Sequence, residues 1–299
     1  MKHLTVTIGI PAKNEEGNIA RLLTALLDQK MKYGDIIDIM VYSDGSTDDT
    51  VAVARALKDP RIRVIDQKVN CGINAVQNHI VKEARGDILI LLDADVLPKN
   101  NHFCDDLIAP FLKNPAVGLV GARTESLPGR TLIERILSAS HVFKQKIYEK
   151  INHGDTVYLC HGRARAFLRK LYTRIHWPEN CPEDAYSFFA CLESGMKFSY
   201  TPSAAVLFRS PATVTDHMLQ SKRFSTGIDT LKHLFPTPMI ERAYAVPKKI
   251  LLQETLSALI SHPFAMIGYI GITLYMKCLK TTSQIHLTKW QQAQSTKKL

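Results

Sequence analysis

The chain has 299 residues, 45% of them hydrophobic, and a formal net charge of +10. That length buries one large core or two small ones, and the composition excludes a disordered or low-complexity chain. The six cysteines show no C-x-x-C pair and no zinc spacing, so they read as free thiols in a reducing compartment.

The N-terminus runs straight from Met1 into an apolar stretch without the hydrophobic region of a signal peptide, so no secretory leader is expected. Leu4 to Ile10 alternates β-branched and small residues and predicts the first strand. It ends in Pro11-Ala12-Lys13-Asn14-Glu15-Glu16, where Asn14 is the expected N-cap of a helix from Glu15 to Gln29. No G-x-G-x-x-G lies at this turn, which argues against a dinucleotide-binding enzyme. Ile36 to Val41 is a second strand, followed by Ser43-Asp44-Gly45-Ser46-Thr47-Asp48-Asp49-Thr50 and a helix to Leu57, with Ser46 or Thr47 as its cap. Arg61 to Asp66 is a third strand. Asn70-Cys71-Gly72-Ile73-Asn74 then opens a helix to Arg85.

Gly86 to Asp95 reads G-D-I-L-I-L-L-D-A-D. Five consecutive apolar residues, Ile88 to Leu92, are too few for a helix and suit a strand buried on both faces of a parallel sheet. Asp93 and Asp95 follow at its carboxyl end, where open α/β sheets bind ligands. By themselves they fit an ordinary polar turn after a strand; equally, two like charges that close would be relieved by a hard divalent ion, itself bridging to a diphosphate. The first hundred residues thus read as β-α-β-α-β-α-β, a parallel sheet with crossover helices.

The order P-x-x-N-E, S-D-G-S-T-D-D-T, N-x-G and G-D-I-L-I-L-L-D-A-D resembles the donor-binding half of the family-2 glycosyltransferases. The resemblance runs over roughly residues 4 to 235. It implies the GT-A fold: a Rossmann-like, mostly parallel α/β sheet with flanking helices. It also implies that Pro11, Asn14, Glu15, Asp44, Gly72 and Asn74 surround the nucleotide. Asp93 and Asp95 would hold Mg²⁺ or Mn²⁺ and the diphosphate.

Beyond the central strand, a helix is expected over Asn101 to Lys113 and a strand over Val117 to Thr124. Thr131 to Ile151 has the apolar spacing of an amphipathic helix. His161-Gly162-Arg163 resembles the family's small-residue segment near the acceptor, and equally fits a tight turn before a helix. Cys181-Pro182-Glu183-Asp184 precedes a helix, Ala185 to Glu193, closed by Gly195. Acids there complement the helix dipole, but the resemblance makes Glu183-Asp184 the family's acidic pair, with Asp184 as general base. Gln220-Ser221-Lys222-Arg223-Phe224, on a helix starting near Thr213, resembles the Q-x-x-R-W motif with Phe224 in place of Trp. Gln220 and Arg223 share a helix face, and Arg223 would neutralise the leaving diphosphate while Gln220 positions it or the acceptor. Phe224 keeps an aromatic platform without an indole N–H.

From Arg209 to Leu299 there are 12 Lys+Arg against 4 Asp+Glu, which points to an anionic partner, the other reading being a basic face that serves solubility alone. No DNA- or RNA-binding signature is present, so lipid headgroups are favoured over nucleic acid. Met239 to Glu254 mixes basic and apolar residues as an interfacial helix does, with a break expected at Pro247. Thr255 to Met276 holds 22 residues without Asp, Glu, Lys or Arg, long enough to span a bilayer or to form a buried helix hairpin.

These readings make residues 1–235 a glycosyltransferase domain, with 1–100 binding the donor and 101–235 the acceptor. Residues 236–299 become membrane-associated helices and a basic tail. The implied activity is inverting transfer from a nucleotide-sugar, commonly a UDP-sugar, to a lipid-linked or glycan acceptor at a membrane surface, with the catalytic domain cytoplasmic. Two alternatives stand beside it. One is a haloacid-dehalogenase-like phosphatase with Asp93 as nucleophile. The other is a silent nucleotide-sugar-binding membrane protein.

Overall fold

The computed structural model describes residues 3–278, and the side chains of 222–226 lie outside that description. The chain begins with β1 (Leu4–Ala12), α1 (Ile19–Leu27), β2 (Gly34–Asp44), α2 (Thr50–Ala56), β3 (Ile62–Gln67), α3 (Ile73–Glu83) and β4 (Ile88–Leu92). The helical crossovers make β1–β4 parallel throughout, as the alternation of apolar runs and helical segments predicts.

The second half is mixed rather than mostly parallel. It contains β5 (Val96–Pro98), α4 (Phe103–Lys113), β6 (Val117–Ser126), α5 (Leu132–Glu149), β7 (Ala164–Leu168), α6 (Arg169–Tyr172), α7 (Glu183–Glu193) and β8 (Lys197–Phe208). All eight strands form one sheet in the order β3-β2-β1-β4-β7-β6-β8-β5. β7 runs antiparallel to both β4 and β6, β5 runs antiparallel to β8, and β6 pairs with β8 in parallel.

Every residue of β4 is buried because helices cover both sheet faces. Ile88, Ile90 and Leu92 point into a core with α1 and α4, while Leu89 and Leu91 point into a second core with α3 and α7. That two-sided burial is why the run has no polar alternation. α5 starts at a capping box: Thr131 Oγ1 accepts from the Glu134 N–H at 3.1 Å, and Glu134 accepts from the Thr131 N–H at 3.0 Å. Two amide donors at the helix start are met reciprocally.

Two local expectations fail. Asn14 does not cap α1, which starts at Ile19 after Asn18. Its backbone is left-handed, at φ 52°, and its side chain accepts from the Thr47 N–H at 2.8 Å. It ties the loop after β1 to the loop after β2. α2 likewise starts later than a Ser46 or Thr47 cap requires, after Asp49.

The C-terminal part folds as α8 (Val214–Leu234), α9 (Thr237–Ala243), α10 (Lys248–Ser261) and α11 (Pro263–Cys278). The break at Pro247 is present. The 22-residue uncharged stretch is divided at His262-Pro263, because proline lacks the N–H that would continue α10. Among the described residues no helix is long and apolar enough to cross a membrane, which corrects the spanning reading of 255–276. The basic tail beyond Cys278 lies outside the described residues.

Candidate active site

The carboxyl ends of β1, β2 and β4 reach the same sheet edge, and the loops there are stitched together. Glu15 is buried, its N–H donates to Thr50 Oγ1 at 2.7 Å, and its carboxylate accepts from Asn18 Nδ2 at 2.9 Å. Pro11 lies in β1 opposite Tyr42. Asp44 has no exposed surface and accepts from the backbone N–H groups of Cys71 at 2.7 Å and Gly72 at 3.0 Å. Gly72 has φ 86°, a conformation open to glycine and strained for other residues. Asn74 donates from Nδ2 to the carbonyls of Pro178 and Cys181, linking the start of α3 to the loop that leads into α7.

A second group gathers at the end of β4. The Asp93 N–H donates to the Arg163 carbonyl at 3.0 Å. Burial, with Asp95 and Glu183 close by, pushes the Asp93 carboxyl up to about 7, while Arg163 and Arg165 act in the opposite sense. Gly162 faces Glu183 so closely that a Cβ on it would lie 2.6 Å from Glu183 Oε1 and 4.0 Å from Asp184 Cβ. The Gly162-Arg163 segment therefore stands between the acidic pair ending β4 and the acidic pair opening α7. It precedes a strand, β7, and not the helix that was the other reading of this turn.

Glu183 and Asp184 form the first turn of α7, after Pro182. Their position is set from below. Arg165, fully buried on β7, donates from Nη1 to the Glu183 carbonyl and to Ser187 Oγ, each at 2.8 Å. Trp177 Nε1 donates to the same two acceptors at 3.1 and 3.0 Å. Sequence reasoning named Arg163 only as part of the turn after His161 and passed over Arg165, Trp177 and Ser187. The signal for Arg165 was an arginine inside the apolar run A-R-A-F-L, since a buried guanidinium demands fixed partners.

Four carboxylates, Asp93, Asp95, Glu183 and Asp184, outnumber the two arginines, and Asp93 with Asp95 are the residues here that could hold a hard cation. Among the described residues no cluster of three or more His, Cys, Asp or Glu is arranged to bind a metal on protein ligands alone. A cation here would be completed by oxygens of a ligand.

The family model "Glycosyl transferase family 2" matches residues 7–175, more than half of the chain. The chain belongs to glycosyl transferase family 2. Among curated proteins it is similar to the succinoglycan biosynthesis protein ExoU of Rhizobium meliloti, 36% identical over 92 residues, 30% of this chain and 26% of that protein. It is also similar to the 4,4'-diaponeurosporenoate glycosyltransferase of Staphylococcus aureus, 41% identical over 64 residues, 21% of this chain and 16% of that protein. The matches thus span about a quarter or less of these relatives. The fold resembles the mannosyltransferase PcManGT from Pyrobaculum calidifontis, whose structure is a complex with GDP-Man and Mn²⁺. The TM-score is 0.60 at 16% identity, over 94% of this chain and 77% of that one. It also resembles S. aureus TarS, with TM-score 0.57 at 18% identity over 88% of this chain and 72% of that one.

Family membership sets aside the phosphatase reading of Asp93. Of the residues the family motifs single out, Asp93, Asp95, Gly162, Glu183 and Asp184 come together. Pro11, Asn14, Glu15, Asp44, Gly72 and Asn74 form the adjoining group, joined to the first through Asn74 and Cys181. Gln220 lies on α8, which reaches the start of α7 where Gly227 packs on Pro182. The side chains of Arg223 and Phe224 lie outside the described residues.

Proposed function

We propose that this family-2 chain is an inverting glycosyltransferase that moves a hexose from a nucleoside diphosphate, with uridine the favoured base, to an acceptor hydroxyl. The observation that carries the reading is the closeness of two acidic pairs across Gly162-Arg163. One pair suits the diphosphate side of a sugar and the other the hydroxyl side.

Asp184 is the general base. Its carboxylate takes the proton of the acceptor hydroxyl as that oxygen attacks the anomeric carbon from the face opposite the leaving diphosphate. Its Oδ1 accepts from the Ala185 N–H at 2.7 Å, which holds the carboxylate at the helix start. Glu183 shapes the floor between base and donor. Asp44, Glu15 and the Gly72 backbone form the nucleotide side. A divalent cation, Mg²⁺ or Mn²⁺, would be held by Asp93 and Asp95 and would offset the charge of the leaving diphosphate. Arg163 and Arg165 add positive charge beside the same carboxylates, and Arg223 is proposed for the leaving group from α8. The acceptor is proposed to be a lipid-linked or cell-envelope glycan intermediate at the cytoplasmic membrane surface, receiving one or a few sugars without export.

A thermal-shift screen of UDP-, GDP- and dTDP-sugars, with and without Mn²⁺, tests the donor side, since a bound donor raises the melting temperature with its affinity. Asp184→Asn then tests the chemistry. Turnover is expected to fall by about two or more powers of ten while the donor-induced shift is kept. A donor that binds but is never transferred or hydrolysed, with any metal, would make the chain a silent binding protein.

A further inference from the structure

The outer faces of α10 and α11 are built unlike the rest of the surface. Leu252, Leu256 and Ile260 recur every fourth residue along α10, and Phe264, Ile267 and Leu274 continue the line along α11. All six are exposed, Ile260 at 82% and Phe264 at 89%. The inner faces are anchored. Glu254, 7% exposed, is ion-paired with Lys150, the residue that caps the end of α5. Lys144 of α5 lies over the Tyr269 ring at 4.9 Å, and Gly268 lies bare against Ile136. Met266 and Ile272 are buried. The apolar residues thus lie on the outward side of two consecutive helices that are fixed to the body.

Their charges have one sign. From Lys248 to Cys278 the sequence holds a single acid, Glu254, and that acid is buried in its ion pair. Lys248 and Lys249 stand exposed at the start of α10, and Lys277 at the end of α11. An apolar strip with lysines at its ends and no exposed acid complements one kind of surface, a bilayer carrying anionic headgroups. Neither helix is long and apolar enough to cross, so contact with a bilayer would be made along its interface.

We propose that α10 and α11 together form a monotopic docking face for an anionic bilayer, with Leu252, Leu256, Ile260, Phe264, Ile267 and Leu274 sunk at the headgroup–acyl boundary. The proposal deepens, and rests on, the reading of the acceptor as membrane-held. Its consequence for the site is positional. Tyr244, at the end of α9, lies beside Asp184, whose charge adds to burial in raising the phenol's pKa, and α10 begins shortly after it. The start of the docking face therefore lies close to the proposed base through Tyr244, which suits an acceptor whose hydroxyl is presented from the bilayer surface.

Flotation of the full-length protein tests this, using phosphatidylcholine vesicles with and without phosphatidylglycerol. The wild type is expected to float with the anionic vesicles, to stay behind with the neutral ones, and to be released by high salt or alkaline carbonate. L256Q/F264Q/L274Q should bind at least about 100-fold more weakly, and K248E/K249E should lose the preference for anionic lipid. Both variants should keep the wild-type circular dichroism spectrum and the donor-induced thermal shift, so failure here is separable from failure of the glycosyl-transfer reading. The proposal is overturned if wild type ignores both vesicle types, if the triple variant floats like wild type, or if wild type resists carbonate as a spanning protein does. It is equally overturned if the strip proves to hold two copies together, seen as a wild-type dimer that the triple variant reduces to a monomer without any vesicle binding.

Discussion

The bare Cα of Gly162 lies against the carboxylate of Glu183, with room for no further carbon: a Cβ would meet Oε1 at 2.6 Å. The obstructing atom is the far end of a flexible side chain, so Gly162→Ala is accommodated by swinging Glu183 aside. The melting temperature should hardly change. Turnover with a nucleotide-sugar should fall about ten- to a hundredfold, the cost of a displacement near 1 Å at a reacting centre. Unchanged steady-state turnover in G162A would show that the Glu183 carboxylate has no part in the reaction.

Asp44 is a different kind of site residue, because its carboxylate is already engaged by the protein. Asp44→Ala leaves the Cys71 and Gly72 N–H groups without their charged acceptor in a buried place. A loss of about 2–4 kcal/mol is expected from such orphaned donors. Asp44→Asn keeps one acceptor oxygen and should cost roughly half as much. Urea unfolding gives the stabilities. If Asp44 also faces the nucleotide, the donor-induced thermal shift should shrink in both variants.

Much of the sheet was legible because its strands announce themselves by burial. Ile88–Leu92 is bounded by Gly86-Asp87 and Asp93, and the strand in the structure has those same limits. β8 was not legible. Its sequence K-F-S-Y-T-P-S-A-A-V-L-F lacks alternation, and its pairing with β6 skips from Thr201 to Ala205 across Pro202. A proline is tolerated at such an irregularity, but in a sequence it argues against a strand. The start of α1 was misjudged because Asn14 has two possible employers, and the neighbouring loop took it over the helix. At the C-terminus the count of uncharged residues left a span open although His262-Pro263 weakened it, and backbone hydrogen bonding at that proline decides for two shorter helices. Within the site the acidic residues were visible as motifs. Arg165 and Trp177 were not, since their work is done on one backbone carbonyl that only the fold brings to them.

That carbonyl suggests a test of how α7 is held. Arg165→Met keeps the volume of the buried side chain and removes the bonds to Glu183 and Ser187. Trp177 still donates to both acceptors, so the stability loss should be modest, about 1–3 kcal/mol. The catalytic loss should be larger in proportion, because the first turn of α7 gains freedom where Asp184 must be placed. A lower kcat with little change in the donor KM is the expected pattern. A rise in KM alone would mean that Arg165 serves donor binding instead.

The last prediction concerns acid stability. His141 on α5 is packed edge-on to Phe208, ring centroids 4.9 Å apart, and lies 6.3 Å from the His161 ring. Its Nε2 is 2.9 Å from the Thr124 carbonyl. Burial above all, then the charges of Arg163, Lys144 and Arg123, bring it down to about 4, although the Thr124 carbonyl favours the protonated ring. The unfolded chain has a histidine near its ordinary value of about 6.5. Between those values the unfolded state binds more protons than the folded one. The contribution of His141 is therefore complete above about pH 6.5 and is lost as pH falls toward 4, up to about 3 kcal/mol in total. His217, brought down to about 4 by burial and by Lys144, adds in the same direction. Asp93, raised to about 7, opposes them, because the folded state then holds the extra proton. Comparing wild type with His141→Gln removes that opposing effect, since Asp93 is common to both. The variant should be less stable at pH 8, where it lacks the histidine's packing, and its stability should fall less steeply between pH 6.5 and 5. Parallel stability–pH curves from denaturant titrations would show that His141 is protonated in the folded protein as readily as in the unfolded one.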